Sequence, residues 1–215
     1  MLNSVYKLIT NTSAYKNLLS DIKEKSTISV YDIAEGQYSF LLSTLNFSQK
    51  RPILLICNTD IRASRFAKEL STLVDDVPCV YLPARDKQFS RIAASQESTW
   101  DRMAALSDII KNKQVIICTS IEAACDIQIP PANLKNSLKT FKINDIISPF
   151  DLVDMLIKLG YERVEMVEGK GQCSLRGDIL DIFSPHKNSA VRIEFFDDEI
   201  DTMRTFDCIS QRSIK

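Results

Sequence analysis

Short apolar runs alternate with longer amphipathic segments over residues 26–125. Phe66, Leu70 and Leu73 repeat at helical spacing between two of these runs, and residues 3–24 also have a helical pattern. The apolar runs are rich in valine, isoleucine and leucine and read STISVYD (26–32), PILLIC (52–57), PCVYL (78–82) and QVIICT (114–119). Such runs are typical of strands buried in a parallel sheet, so we predict a doubly wound α/β domain with helical crossovers.

The pattern changes in the last part of the chain. Pro130-Pro131 and the polar stretch after it predict a linker, and a helix is predicted from its N-cap Ser148 to Gly160. Short strand-like runs and turns follow and contain most of the glycines. The predicted fold is therefore a parallel-sheet domain of P-loop type over residues 1–125, followed by a smaller α+β domain with an antiparallel sheet over 126–215.

Composition excludes several classes of protein. Of 215 residues, 45% are apolar, which is enough to bury a sizeable core, and 26% are charged, which is ordinary for a protein surface. This composition excludes disorder. No uncharged apolar run approaches the ~20 residues that span a bilayer, and the N-terminus lacks a secretory pattern, so a cytoplasmic protein is expected. Because 27 basic residues oppose 28 acidic ones, we expect weak or no nucleic-acid binding.

Cysteine and acidic residues give no strong sign of a metal, cofactor or nucleophile site. The six cysteines form no C-x-x-C pair, and His186 is the single histidine. Cys57 and Cys118 lie inside apolar runs, which predicts structural thiols in a reducing compartment. The acidic run 197–199 is predicted to be a solvated hairpin turn.

The first strand–helix junction has the position, but not the residues, of a phosphate-binding loop. The pattern G-x-x-x-x-G-K-[ST] needs glycines for close backbone approach and a lysine for the phosphates. Asp32 replaces the first glycine, Gln37 the second and Tyr38 the lysine, and Glu35 adds a second carboxylate. The segment reads Asp32, Ile33, Ala34, Glu35, Gly36, Gln37, Tyr38, Ser39, and of its residues at the defined positions of the pattern only Ser39 fits. We therefore predict a degenerate, non-functional phosphate loop.

A pair of arginines marks a candidate interaction site. Residues 163–167 and 172–176 are predicted to form a β-hairpin, in which Arg163 faces Arg176 on the polar side. Like charges directly opposite destabilise a sheet, so this pair suggests a docking point for an acidic partner. The alternative is that Glu165 and a nearby aspartate neutralise both arginines within the fold.

The same segment carries a family resemblance. The runs GYERVEMVEGKGQCSLRGDILDIFSP and VRIEFFDDEIDTMRTFD resemble the UvrB-homology module of bacterial transcription-repair coupling factor and, more distantly, UvrB. The altered phosphate loop favours coupling factor, because UvrB needs the glycines and the lysine. The resemblance implies a nucleotide-fold relic as first domain (UvrB-like domain 1a) and a UvrA-binding second domain (UvrB-like domain 2).

The resemblance also implies particular contact residues. The UvrA-contacting arginines of the family fall on Arg163 and Arg176, and an aromatic contact falls on Phe183. UvrB has a further arginine at the position of Ser174. Unbroken strand alternation through Gly177 would place Phe183 on the apolar face, so its exposure requires a bulge near that glycine.

Two functions follow from the resemblance. The first is a non-catalytic module that recruits UvrA to stalled RNA polymerase in nucleotide excision repair. In the full-length family the motor domains make an ATP-dependent DNA translocase, and the implied partners are UvrA, RNA polymerase, DNA and the protein's own C-terminal domain. The alternative is an ATP-using, DNA-handling module of UvrB type. Tyr38, at the lysine position, favours the first.

Overall fold

The computed structural model describes residues 2–85, 96–185 and 187–214. The helices are α1 (Leu2–Thr10), α2 (Ser13–Glu24), α3 (Tyr38–Gln49), α4 (Asp60–Leu73), α5 (Gln96–Lys111), α6 (Ile121–Cys125), α7 (Pro131–Ser137) and α8 (Pro149–Lys158). The strands are β1 (Ile53–Cys57), β2 (Cys79–Leu82), β3 (Ile116–Ser120), β4 (Glu162–Arg163), β5 (Gln172–Arg176), β6 (Ile179–Ile182), β7 (Ala190–Phe196) and β8 (Glu199–Phe206). Within the described ranges, no helix is both long and apolar enough to cross a membrane.

The chain divides into two compact units, each with its own sheet. The first contains the described residues up to Ala84 together with Asp108–Asp126, and the second contains those of Arg85–Ser107 and from Ile127 onward. The first sheet has three parallel strands, and the second has five strands that are mostly antiparallel. This confirms the predicted fold class, while the predicted domain boundary after residue 125 stays a prediction.

The first unit is built around the parallel sheet in the order β1–β3–β2. Helix α4 packs on one face of this sheet, where Phe66 and Leu70 are buried against Ile116 and Cys118. The Thr59 hydroxyl accepts a hydrogen bond from the Arg62 backbone N–H at 3.3 Å and so caps the start of α4. The helical pattern read from the sequence is therefore the core-facing side of a crossover helix.

The predicted first strand, STISVYD at 26–32, is wrong. These residues form no strand and pair with neither sheet. Val30 is 47% exposed and Tyr31 is 80% exposed, and Asp32 has a left-handed φ of 61°. A strand of a parallel sheet needs both faces covered, and this serine- and threonine-rich segment buries too little apolar surface to provide one.

The helices predicted over 3–24 are confirmed as α1 and α2, with a break between them. Tyr6 is buried and stacks on Phe47 of α3 with ring centroids 5.2 Å apart. Tyr15 is buried as well, and its hydroxyl donates to the Thr44 carbonyl at 3.1 Å. These two tyrosines attach the N-terminal helices to the first unit.

The second unit contains the sheet β4–β5–β6–β7–β8, in which β4 and β5 are parallel and the other pairs antiparallel. Helix α8 covers one face through Leu152, Val153 and Leu156, packed on residues such as Leu180. As predicted, Ser148 stands at its N-cap, and Gly160 follows its end with a left-handed φ of 94°. The other face, called here the open face, carries Ser174, Arg176, Ile179, Asp181, Arg192, Glu194, Thr202 and Arg204.

Gly171 fits closely against the single tryptophan of the chain. A Cβ atom placed on Gly171 would lie 2.3 Å from the Trp100 ring, and its φ of 78° belongs to the left-handed region. The Trp100 ring also packs on Tyr161, with centroids 5.6 Å apart. The loop before β5 is thus held against the indole.

We expect Gly171→Ala to destabilise the protein, by about 1–2 kcal/mol from the left-handed backbone alone and further by displacing the Trp100 ring. Thermal melting and the emission maximum of Trp100 measure the two effects. Gly169→Ala is the matched control, because nothing lies within 4 Å of a Cβ there. Equal melting temperatures and unchanged emission for both variants would contradict the expectation.

Candidate protein-interaction surface

Arg163 does not lie in the predicted hairpin. Strand β4 pairs with β5 in parallel, so that Arg163 is opposite Cys173, and the Val164 N–H donates to the Cys173 carbonyl at 2.9 Å. The predicted antiparallel register, with Arg163 facing Arg176, is wrong. The two guanidinium groups are not side by side.

Val167 explains why the chain leaves the strand after β4. The hairpin would have placed Val167 on the polar side, whereas in the structure it is fully buried against Ala190 and Phe206. Polar contacts fix the resulting loop: Gln172 Oε1 accepts from the Glu168 and Gly169 N–H groups at 2.9 and 3.0 Å. Burial of Val167 thus favours a loop over the predicted hairpin, and β4 runs parallel to β5 where an antiparallel pair was predicted.

The register places the two arginines on opposite faces of the sheet. Paired residues share a face, so Arg163 lies on the side of Cys173, whereas Arg176 lies three positions further along β5 on the open face. Strand spacings put their Cα atoms roughly 11 Å apart. Arg163 is exposed, and its side chain makes no ion pair or hydrogen bond within the described part of the chain. An acidic partner contacting both would have to reach around the edge strand β4.

Arg176 projects from the open face while it contacts a buried carboxylate. Its Nη2 donates to Asp181 Oδ2 at 2.8 Å, and its side chain remains 51% exposed. The alternative considered from sequence, neutralisation by a nearby aspartate, therefore applies to Arg176 in part. The carboxylate of Glu165 forms no ion pair with either arginine among the described residues.

Asp181 is the centre of the polar cluster on the open face. Its side chain is 1% exposed, and Arg192 donates to both carboxylate oxygens, through Nε at 2.7 Å and Nη2 at 2.9 Å. These hydrogen bonds raise the pKa of Arg192 above its ordinary value. Sequence reasoning missed Asp181. The signal was an acidic residue between Leu180 and Ile182, but its partners follow from the strand register, which the sequence does not specify.

Phe183 is half buried and lies on the side of Arg176. It packs against Val167, Ala190 and Phe206, and its N–H donates to the Gln172 carbonyl at 3.0 Å. The alternation of β5 does not continue unbroken through Gly177, the condition under which Phe183 would have been on the apolar face. Gly177, with φ 59°, starts a two-residue turn between β5 and β6, and this turn resets the alternation.

Ser174, at the position of the additional UvrB arginine, is 1% exposed and donates to the Glu165 carbonyl at 2.7 Å. Its hydroxyl ties the loop after β4 to the open face. The side chain at this position is therefore buried and its hydroxyl is engaged within the fold.

Residues 32–39, the predicted degenerate phosphate loop, contact α4. Glu35 forms ion pairs with Arg65 at 2.5 Å and Arg62 at 3.4 Å, and the Ser39 hydroxyl donates to Glu69 at 2.6 Å. Asp32, Gly36 and Gln37 are exposed, whereas the Tyr38 ring packs edge-on against Phe66 at 6.3 Å. Two arginines thus compensate Glu35, which reduces the repulsion of phosphates expected from that carboxylate. The aromatic ring and the engaged hydroxyl remain in the positions that lysine and a free hydroxyl would need.

The remaining candidates behave as packing or surface groups. Burial raises the pKa of Cys118 to about 12 and that of Cys79 to about 11, which disfavours the reactive thiolate. His186 lies outside the described residues. The predicted acidic turn is confirmed between β7 and β8, where Asp197 has a left-handed φ of 52°.

Comparison with known proteins finds a family match in the C-terminal part of the chain. Residues 140–215 match the sequence model of the UvrB interaction domain family, so the resemblance predicted from the sequence is confirmed.

Among individual proteins, the chain is 28% identical over 218 residues to transcription-repair-coupling factor of Bacillus subtilis (strain 168), which covers the whole chain and 18% of that protein. It is 30% identical over 182 residues to transcription-repair-coupling factor of Mycobacterium tuberculosis (strain CDC 1551 / Oshkosh), with 81% of the chain and 15% of that protein covered. UvrABC system protein B of Fervidobacterium nodosum is 28% identical over 193 residues, or 82% of the chain and 29% of that protein. The chain therefore spans less than a third of each of these relatives.

Proposed function

We propose that this chain is the UvrA-binding module of a transcription-repair coupling factor and that it acts by protein interaction, without catalysis. The observation that carries the proposal is Arg176, a half-exposed guanidinium held on a buried carboxylate within the region that matches the UvrB interaction domain. Charge-assisted, geometrically fixed guanidinium groups are well suited to recognise carboxylates of a partner. Arg163 and Phe183 complete the proposed UvrA contacts.

In this proposed role the module contributes one step of nucleotide excision repair, the recruitment of UvrA to a stalled RNA polymerase. Contacts to RNA polymerase and to DNA, and the translocase motor, belong to the remainder of the longer coupling factors. Their C-terminal domain is proposed to cover the UvrA-binding surface at rest. The similarity to coupling factor along the whole chain supports this proposal.

A pull-down with UvrA tests the proposed function. Wild-type chain should retain UvrA, and the Arg163→Ala/Arg176→Ala double variant should retain little or none at the same salt concentration. A double variant that is folded and still retains UvrA as wild type does would contradict the assignment of the contacts.

The second candidate function, an ATP-using module of UvrB type, has less support. It would need a lysine at Tyr38 and a free hydroxyl at Ser39, and that hydroxyl already donates to Glu69. We expect no saturable ATP binding up to about 1 mM, which corresponds to about −4 kcal/mol. Tyr38→Lys alone should not restore binding, because Ser39 and Gln37 are unchanged.

Isothermal titration with Mg²⁺-ATP measures this directly, with UvrB as the positive control. Saturable, magnesium-dependent heat from the wild-type chain would contradict the non-catalytic assignment and favour the UvrB-type function.

A further inference from the structure

Asp181 is bonded to two arginines, Arg192 and Arg176, and not to Arg176 alone. Arg192 already satisfies both carboxylate oxygens, so the cluster of two guanidinium groups and one carboxylate keeps a net positive charge. The two members of the inner pair have side chains only 1% and 19% exposed, whereas that of Arg176 is 51% exposed. The surplus charge is therefore presented at the surface, on Arg176.

Arg192 is itself fixed from two sides. Its guanidinium lies over the Phe206 ring, 4.7 Å from the centroid, and its Nη2 is 3.5 Å from Gln211 Oε1. Phe206 is fully buried. Asp181 is thus held by the packed side chain of Arg192, and Asp181 in turn restrains Arg176.

Arg176 has donors left for a partner. A guanidinium has five N–H donors, and among the described residues Arg176 uses one of them, toward Asp181. A single bond of this kind restricts where the group lies but leaves its other edge open for a bidentate contact with a carboxylate.

We propose that Asp181 is a positioning residue for partner binding: it holds Arg176 in place on the open face to receive a carboxylate of UvrA. This rests on the proposed function. Holding a long side chain before binding reduces the entropy lost when the complex forms, so affinity rises without any contact between Asp181 and UvrA. If Asp181 were purely structural, replacing it would change UvrA binding only by lowering the fraction of the chain that is folded.

A double-mutant cycle separates the two roles. UvrA affinity is measured by calorimetry for wild type, Asp181→Asn, Arg176→Ala and the combination, with folding checked by circular dichroism. We expect Asp181→Asn to weaken binding about tenfold, within the range of coupling between groups in contact. In the Arg176→Ala background the same change should alter affinity less than about twofold.

Two further variants serve as a control and as an independent test for the double-mutant cycle. Glu194→Gln is the matched control, since it removes a carboxylate that pairs with Arg204 at 2.9 Å on the same face; UvrA affinity should not change. Asp181→Leu/Arg192→Met replaces the buried pair by apolar groups, which often preserves stability, and should also weaken binding about tenfold.

Each outcome decides one question. Wild-type affinity for folded Asp181→Asn or for Asp181→Leu/Arg192→Met would overturn the positioning role, as would an undiminished loss in the Arg176→Ala background. Wild-type affinity for Arg176→Ala would overturn the contact at Arg176 that Asp181 is proposed to position, whereas no UvrA binding by the folded wild-type chain would contradict the proposed function.

Discussion

Arg176→Ala should weaken UvrA binding strongly, by about 2–5 kcal/mol, because truncating one partner of a buried charged contact leaves the other charge unpaired. That range corresponds to roughly 30-fold to several thousand-fold in dissociation constant. Arg163→Ala is expected to fall in the same range if UvrA also buries that side chain. Titration of purified UvrA at a fixed salt concentration measures both.

The geometry adds two conditions to this expectation. Arg163 and Arg176 lie on opposite faces and share no partner, so their effects should add in the double variant. Arg204→Ala is the matched control, because Arg204 is 47% exposed and ion-paired on the same open face. Equal losses for Arg176→Ala and Arg204→Ala would indicate a general charge effect and contradict a specific contact.

Asp181→Ala should be the most damaging substitution for folding on the open face, costing about 3–5 kcal/mol because it leaves the largely buried charge of Arg192 without its hydrogen-bonded carboxylate. Arg176→Ala should cost at most about 1 kcal/mol, since it removes a half-exposed pair and leaves Asp181 bonded to Arg192. Urea unfolding followed by circular dichroism measures both free energies.

Asp201→Ala is the control for losing a negative charge from this sheet, since Asp201 is exposed on β8. It should change the free energy of unfolding by no more than about 0.5 kcal/mol. An Asp181→Ala variant as stable as Asp201→Ala would show that the buried cluster contributes little to folding.

Local signals predicted much of the fold. The helical spacing that includes Phe66 and Leu70 gave α4, the N-cap and Gly160 bounded α8, and the acidic run gave the turn between β7 and β8. These features depend on short-range sequence, in which side chain and backbone preferences agree.

Long-range pairing could not be predicted in the same way. Residues 163–176 have a hairpin pattern, but burial of Val167 against Phe206, far along the chain, outweighs it. The segment 26–32 has strand composition but no neighbours that cover it. Both errors arise because a strand is stable only with its partners, which tertiary packing selects.

The candidate site shows the same division. Arg163 and Arg176 were predicted both from the hairpin pattern and from the resemblance, and Phe183 from the resemblance alone. The expected facing of the two arginines was wrong because the predicted strand direction was wrong. Asp181 acquires its significance from Arg192 on a neighbouring strand, so only the three-dimensional register identifies it.

Calorimetric titration of UvrA with the wild-type 215-residue chain tests UvrA binding most directly. We expect saturable binding that weakens strongly with Arg176→Ala and is retained with Arg204→Ala. No saturable heat from folded wild-type chain, at concentrations where UvrB binds the same UvrA preparation, would contradict the proposed function.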